Sequence, residues 1–259
     1  MGRRVLAVAS GKGGVGKSTI AVALALAFSR MGFRVGLLDA DLYGPDIPRM
    51  MGLTRTADAK SLTVWTRPGF GRRPRPIERY GLEVWSAQFL VGEGQALSFP
   101  AGLAGLLLAR SFGAVDWGEL DWLIVDLPPG TADIQQQLVT QLGLDGALLV
   151  VTPQDVAHLD AKKVCDMFER GNVPVIGGVE NMASLACPCC GTTIDLFAAT
   201  PEERTVWALG VPRLARVPWS PEIRQSSASG SPIVAERSDG AGAMFAQLAD
   251  AVLLAFSEC

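Results

Sequence analysis

Residues Gly11-Lys12-Gly13-Gly14-Val15-Gly16-Lys17-Ser18 fit the pattern G-x-x-x-x-G-K-[ST], and the apolar run Val5 to Ser10 leads directly into them. After this loop, Thr19 to Arg30 is rich in Ala and Leu. Gly32 then stands where a helix C′ residue belongs, and Val35 to Asp39 supplies a second apolar strand. Strand, glycine loop, helix and strand predict a βαβ unit. Glycines let the backbone turn tightly and aim its N–H groups at a phosphate chain, while the helix N-terminus adds a partial positive charge. In such a loop Lys17 holds the β and γ phosphates and the Ser18 hydroxyl ligates Mg²⁺. ATP with Mg²⁺ is therefore expected across Gly11 to Ser18, with Thr19 in the same helical turn.

Further apolar runs end in polar residues at Leu123 to Asp126, Ala147 to Thr152 and Val175 to Glu180, separated by helix-length segments. Uninterrupted apolar strands indicate a sheet covered on both faces. The fold class is thus α/β, a P-loop NTPase with a mostly parallel twisted sheet, expected as one domain over residues 1–259. In such sheets ligands gather at the carboxyl ends of the strands, where Ser10, Asp39, Asp126, Thr152 and Asn181 would lie.

Apolar residues at 49% and charged residues at 19% allow a sizeable core and leave no segment with the composition of a disordered chain. A formal charge of −3 gives no global attraction to nucleic acid or acidic lipid. Val5 to Ser10 is too short for a secretory signal, and no run approaches the ~18 apolar residues of a membrane span. A soluble cytoplasmic protein is expected, with its five cysteines free or metal-bound. One stretch departs from globular composition. Between Ala57 and Arg79, Arg67, Arg72, Arg73 and Arg75 alternate with Pro68, Pro74 and Pro76, which reads as an exposed excursion with a solvated charge cluster.

Asp39 and Asp41 follow the second strand, and alternation puts both side chains on one side of an extended backbone. Asp126 ends the run Trp122-Leu-Ile-Val as a Walker B aspartate does, placed to hold Mg²⁺ through water. Leu127-Pro-Pro-Gly130 follows. A glycine there can offer its N–H to the γ-phosphate, the prolines stiffen the segment, and Asp133 would close this switch. Asn181 lies where an amide can read an adenine edge.

Cys187-Pro-Cys189-Cys190-Gly191 offers Cys-x-x-Cys from residues 187 and 190. Two thiolates are half a four-thiolate site. Cys165 and Cys259 form no second pair at matching spacing, whereas a symmetric dimer supplies the same pair again with its two-fold axis through the metal. A structural zinc is the alternative occupant.

These blocks together resemble the Mrp/ApbC/Nbp35 iron–sulfur cluster carrier ATPases, within the deviant Walker A, MinD/ParA-like superfamily. The resemblance runs through Ser10 to Thr19, Asp39 to Pro48, Asp116 to Thr131, Glu180-Asn-Met, Cys187 to Gly191 and Gly230 to Val234. It implies an ATP-hydrolysing homodimer in which Lys12 reaches the partner subunit's nucleotide. It further implies that Asp41 positions or activates the attacking water, that Asp39 lies nearer the metal shell, and that Asn181 contacts the base. Cys187 and Cys190 would hold a [4Fe–4S] cluster shared by two subunits and passed to apo iron–sulfur proteins. Without a four-cysteine N-terminal extension, the chain is similar to the short prokaryotic form.

Ala132 stands where the family usually has Gly, which implies a stiffer switch and slower hydrolysis. Gly92 to Gly102 lacks the usual Arg-Gly-Pro-Met-like block, and Leu196 to Pro201 replaces a more glycine-rich stretch. A MinD- or ParA-like positioning switch is the competing class. Gly240 to Cys259 contains no Lys or Arg, which argues against the basic membrane helix of such proteins, and nucleic acid is disfavoured by the charge. His158 is expected on the surface, Cys165 as a helix-packing thiol and Cys259 frayed at the terminus.

Overall fold

The computed structural model describes residues 2–41, 44–53, 75–90, 112–131 and 133–258. In chain order its elements are β1 (Arg4–Ala9), α1 (Lys17–Arg30), β2 (Val35–Asp39), α2 (Ile47–Met50), β3 (Ile77–Arg79), β4 (Leu82–Ser86), β5 (Trp122–Asp126) and α3 (Asp133–Gln141). There follow β6 (Gly146–Val151), α4 (Asp155–Arg170), β7 (Val175–Asn181), β8 (Ser184–Ala186), β9 (Thr193–Asp195), β10 (Arg213–Val217), α5 (Pro221–Ser229), α6 (Ile233–Glu236) and α7 (Ala241–Glu258). Ala132, Gly92 to Gly102, Cys259 and the arginines at 67, 72 and 73 lie outside the described residues.

Eight strands form one sheet in the order β10-β7-β6-β1-β5-β2-β4-β3, parallel throughout except for the edge strand β3. The apolar runs cover both faces by simple alternation. Leu6 and Val8 of β1, Leu37 of β2, and Leu148 and Val150 of β6 enter one core with α1 and α7. Val5, Ala7 and Ala9 of β1, Leu38 of β2, and Ala147, Leu149 and Val151 enter the other with α3 and α4. This two-sided burial is what selects strands without polar alternation. Cys165 packs half-buried against the second core, where burial pushes its thiol up to about 11, as a packing thiol should behave.

One expectation is qualified and one corrected. Over Ala241–Glu258, α7 is by length and composition long and apolar enough to cross a bilayer. Phe245, Leu248, Ala249 and Val252, one stripe at i, i+3, i+4 and i+7, are buried beside α1 and serve the core, whereas Leu254 on the same helix is exposed. His158 is not on the surface. It is 1% exposed on α4, accepts a hydrogen bond from the Val206 N–H at Nδ1 (3.3 Å) and meets the Trp207 ring edge-on at 5.7 Å. The helical stripe Ala157, His158, Ala161, Val164 and Phe168 turns it inward, which its polarity concealed.

Burial holds the His158 imidazole below its ordinary 6.5, because the cation would be poorly solvated there. The unfolded chain takes up that proton first, so the contribution is present above pH 6.5 and is lost as pH falls towards the lower folded value. We expect the urea midpoint of the native protein to fall more steeply than that of His158→Asn between pH 7.5 and 5.5. Parallel curves would contradict this.

Candidate functional site

The parallel register brings the carboxyl ends of β1, β2 and β5 together, with Val8 and Asp39 both opposite Asp126 on one rung of the sheet. Lys17, 6% exposed, points its Nζ into this group, 2.7 Å from Asp126 Oδ1, 3.5 Å from Ser18 Oγ and 3.9 Å from Asp41 Oδ2. Asp39 accepts from the Ser86 hydroxyl of β4 (2.9 Å) and from the Asp41 N–H (3.1 Å). Burial, and then the charge of Asp126, hold the Asp39 carboxyl well above the ordinary carboxylate range. Burial raises Asp126 as well, opposed by Lys17 and the Ser18 hydroxyl. Asp39, Asp41 and Asp126 gather hard oxygen donors around the Lys17 ammonium, the donor type that suits Mg²⁺. Asp126 Oδ2 is buried with no hydrogen-bond partner among the described residues, which leaves an acceptor for a water of such an ion.

The loop itself is fixed by close approach on two sides. Gly16 has φ +85°, and a Cβ there would stand 2.2 Å from Asn181 Nδ2. That nitrogen donates to the Val15 carbonyl at 2.7 Å, so the end of β7 is stitched to the loop. On the other side a Cβ at Gly11 would meet the Asp160 carbonyl carbon at 2.4 Å, because α4 lies directly against the turn. Lys12 donates to Gln154 Oε1 just before α4.

Two adjoining clefts open around Gly16, Thr19 and Met182, which line both. The larger, about 500 Å³, is walled by Lys12, Gly13, Gly14, Lys17, Ser18, Asp41 and Pro129. The smaller, about 180 Å³, lies between Asn181, Val217 to Ser220, Ile223 and Phe245. A glycine-edged cleft carrying Lys12, Lys17 and Asp41, joined to a slot that includes Val217, Ile223 and Phe245, has the division that a phosphate chain and a flat base require.

Most sequence-predicted residues converge here, with two differences. Gly130 is not among the residues lining the larger cleft, and its N–H donates to the Ser10 carbonyl at 2.9 Å, since the turn after β5 closes on the end of β1. Pro128 and Pro129 present that segment to the cleft instead, and Asp133 opens α3. Asn181 is the last residue of β7 and spends one amide proton on the loop. Sequence reasoning missed Ser86, Gln154, Gln135 and Met182. The alternation Leu82-Glu-Val-Trp-Ser86 could have revealed β4 and hence Ser86; the others carry no local signal.

Cys187 and Cys190 sit on a separate hairpin, β8 against β9, in the register Ala186 opposite Thr193. Its turn is closed by Cys187 N–H to Thr192 O (2.9 Å) and Gly191 N–H to Cys187 O (2.8 Å). Cys187 is half-buried; Cys189 and Cys190 are exposed. Cys190 Sγ lies 3.2 Å from Thr192 Oγ1. The Thr192 hydroxyl and backbone, with the Cys187 thiol, hold Cys190 below the ordinary thiol range and favour the ligating thiolate. Among the described residues no three His, Cys, Asp or Glu side chains group as metal ligands. The hairpin starts three residues after Asn181. Met182 between them has φ +56°, and Ser184 O accepts from the Trp219 N–H at 2.7 Å beside the smaller cleft. Of the arginine cluster, Arg75 is exposed, 3.9 Å from Asp116.

A family model described as NUBPL iron-transfer P-loop NTPase (ParA) matches residues 2–253. The chain belongs to this family. Relatives of this NUBPL-family NTPase include an iron-sulfur cluster carrier protein of Aquifex aeolicus, 40% identical over 92% of this chain and 63% of the relative. The mouse iron-sulfur cluster transfer protein NUBPL is 41% identical over 90% of this chain and 70% of its own length. This chain spans 60% of a Haemophilus influenzae carrier protein that is 42% identical to it. A nucleotide-binding protein of Archaeoglobus fulgidus, solved in complex with ADP, superposes with a TM-score of 0.71 at 34% identity, covering 88% of this chain and 86% of that one. The MinD cell division ATPase of Pyrococcus furiosus has the same TM-score at 22% identity, over 98% of this chain and 99% of that one, a likeness of fold.

Proposed function

We propose that this NUBPL-family protein hydrolyses ATP with Mg²⁺ in the two clefts. Two copies of it would carry a [4Fe–4S] cluster between their Cys187 and Cys190 pairs and deliver it to apo iron–sulfur proteins in the cytoplasm. The observation that carries this reading is the pair of neighbouring thiols on a hairpin that begins three residues from Asn181, itself hydrogen-bonded into the phosphate loop. Relatives named as iron–sulfur carriers over most of this chain support it.

Gly11, Gly13, Gly14, Val15 and Gly16 would cradle the phosphates, and Lys17 would turn its ammonium from Asp126 to the β and γ oxygens. Ser18 and Asp126 would hold Mg²⁺, which neutralises charge developing on the phosphates. Thr19 lines both clefts where the ribose would pass. Asp39, bound by Ser86, would steady the metal shell, while Asp41 would orient the attacking water. Gly130 would join only after exchanging its bond to Ser10. Asn181 would touch the adenine, and Lys12, leaving Gln154, would reach the nucleotide of a second copy. A nucleotide that rearranges Asn181 and Met182 would pull on the hairpin whose turn carries the cysteines, a direct route from ATP to cluster.

The test is regain of activity by an apo [4Fe–4S] enzyme incubated anaerobically with the iron-loaded protein. Regain with the native protein and none with Cys187→Ser/Cys190→Ser is expected. Equal regain with both would overturn the proposal.

A further inference from the structure

Gln135, the third residue of α3, is fully buried, and neither its Oε1 nor its Nε2 has a hydrogen-bond partner among the described residues. It lies on the inward stripe with Leu138 and Val139, where an aliphatic side chain would pack without loss. Its neighbour Gln136 by contrast is exposed and donates to Thr131 O at 3.1 Å. A buried amide with both ends unpaired is destabilising, and such groups in folded proteins call for an explanation outside packing. The explanation lies in position: Gln135 lines the larger cleft, on the wall formed with Pro128, Pro129 and Ile134, and Asp41 lines the same cleft.

We infer that the Gln135 amide is a ligand group for the terminal phosphate and for the water that attacks it, an inference that rests on the ATP-hydrolysing reading of this cleft. An amide offers a donor and an acceptor at one place. Nε2–H donates to a γ-phosphate oxygen while Oε1 accepts from the water, which fixes the water in line. Asp41 accepts a hydrogen bond from that water but has no donor for the phosphate, so the carboxylate alone holds only one of the two reactants. The water oxygen bonds to the γ phosphorus as the bond to the β–γ bridging oxygen breaks. ADP leaves with that electron pair, and the water's proton ends on the released phosphate. Of the two clefts, Gln135 lines only the larger, so this role separates it from base recognition by Asn181.

Three proteins decide it: native, Gln135→Met, which keeps length and volume, and Gln135→Asn, which keeps the amide but withdraws it. Mg²⁺-ADP affinity, single-turnover ATP hydrolysis and the nucleotide-free Tm are measured for each. Gln135→Met is expected to bind ADP within about threefold of native and to lose about 10²-fold in hydrolysis, as when one preorganised donor is removed. Its Tm should rise by about 2–4 °C because an unpaired amide has left the interior. Gln135→Asn should lose hydrolysis to a similar degree. Hydrolysis by Gln135→Met within threefold of native would overturn the inference and leave the ATPase reading standing. So would a joint fall of Tm, affinity and rate, which marks a packing residue. No hydrolysis by the native protein would overturn both.

Discussion

Lys17→Met is expected to remove ATP hydrolysis below detection, a loss of at least about 10³-fold, and to weaken Mg²⁺-ATP binding with it. The ammonium lies within 4 Å of both Asp126 and Asp41 and is buried with them. Methionine preserves the stem of the side chain, so the loss is of charge rather than of packing. Stability should fall too, by about 3 kcal/mol, because the change strands a buried carboxylate, limited by the proton that Asp126 can then take up. Urea unfolding and single-turnover hydrolysis measure the two effects. Hydrolysis within tenfold of native would mean that Lys17 serves the fold and that the phosphates lie elsewhere.

The second large effect concerns the hairpin. Cys187→Ser or Cys190→Ser should reduce bound iron after anaerobic reconstitution from about two per subunit to none, since a four-iron cluster over two chains needs all four thiolates. Cys189→Ser should keep its iron. Cys189 lies between the pair, exposed, and is not one of the two positions that make the Cys-x-x-Cys spacing. The hairpin is a separate two-stranded sheet outside the eight-stranded one, so all three variants should unfold like the native protein. Iron retained by Cys190→Ser would remove the pair from the site.

Much of this was legible in the sequence because strand and loop chemistry are local. The glycine loop announced its own strand and helix, and apolar runs without alternation marked a sheet buried on both faces. The strand-end aspartates converge because parallel registry sets Asp39 directly opposite Asp126 on the neighbouring strand. What escaped depends on tertiary closure. His158 looked like a surface residue until the core closed over the inward stripe of α4. Gln154 matters only because α4 folds back onto Gly11, and Gln135 only because its amide is left alone in the wall of a cleft. Gly130 was placed by the role its residue type can play, whereas its N–H follows the nearer carbonyl of Ser10.

Cys187 and Cys190 from two copies either share one cluster or they do not. The direct measurement is iron, sulfide and zinc per subunit of the anaerobically reconstituted protein, together with its mass in solution. About two irons and two sulfides per subunit, in a species of twice the chain mass, is the predicted result. Zinc without iron, or a full four-iron complement on a single chain, would contradict it.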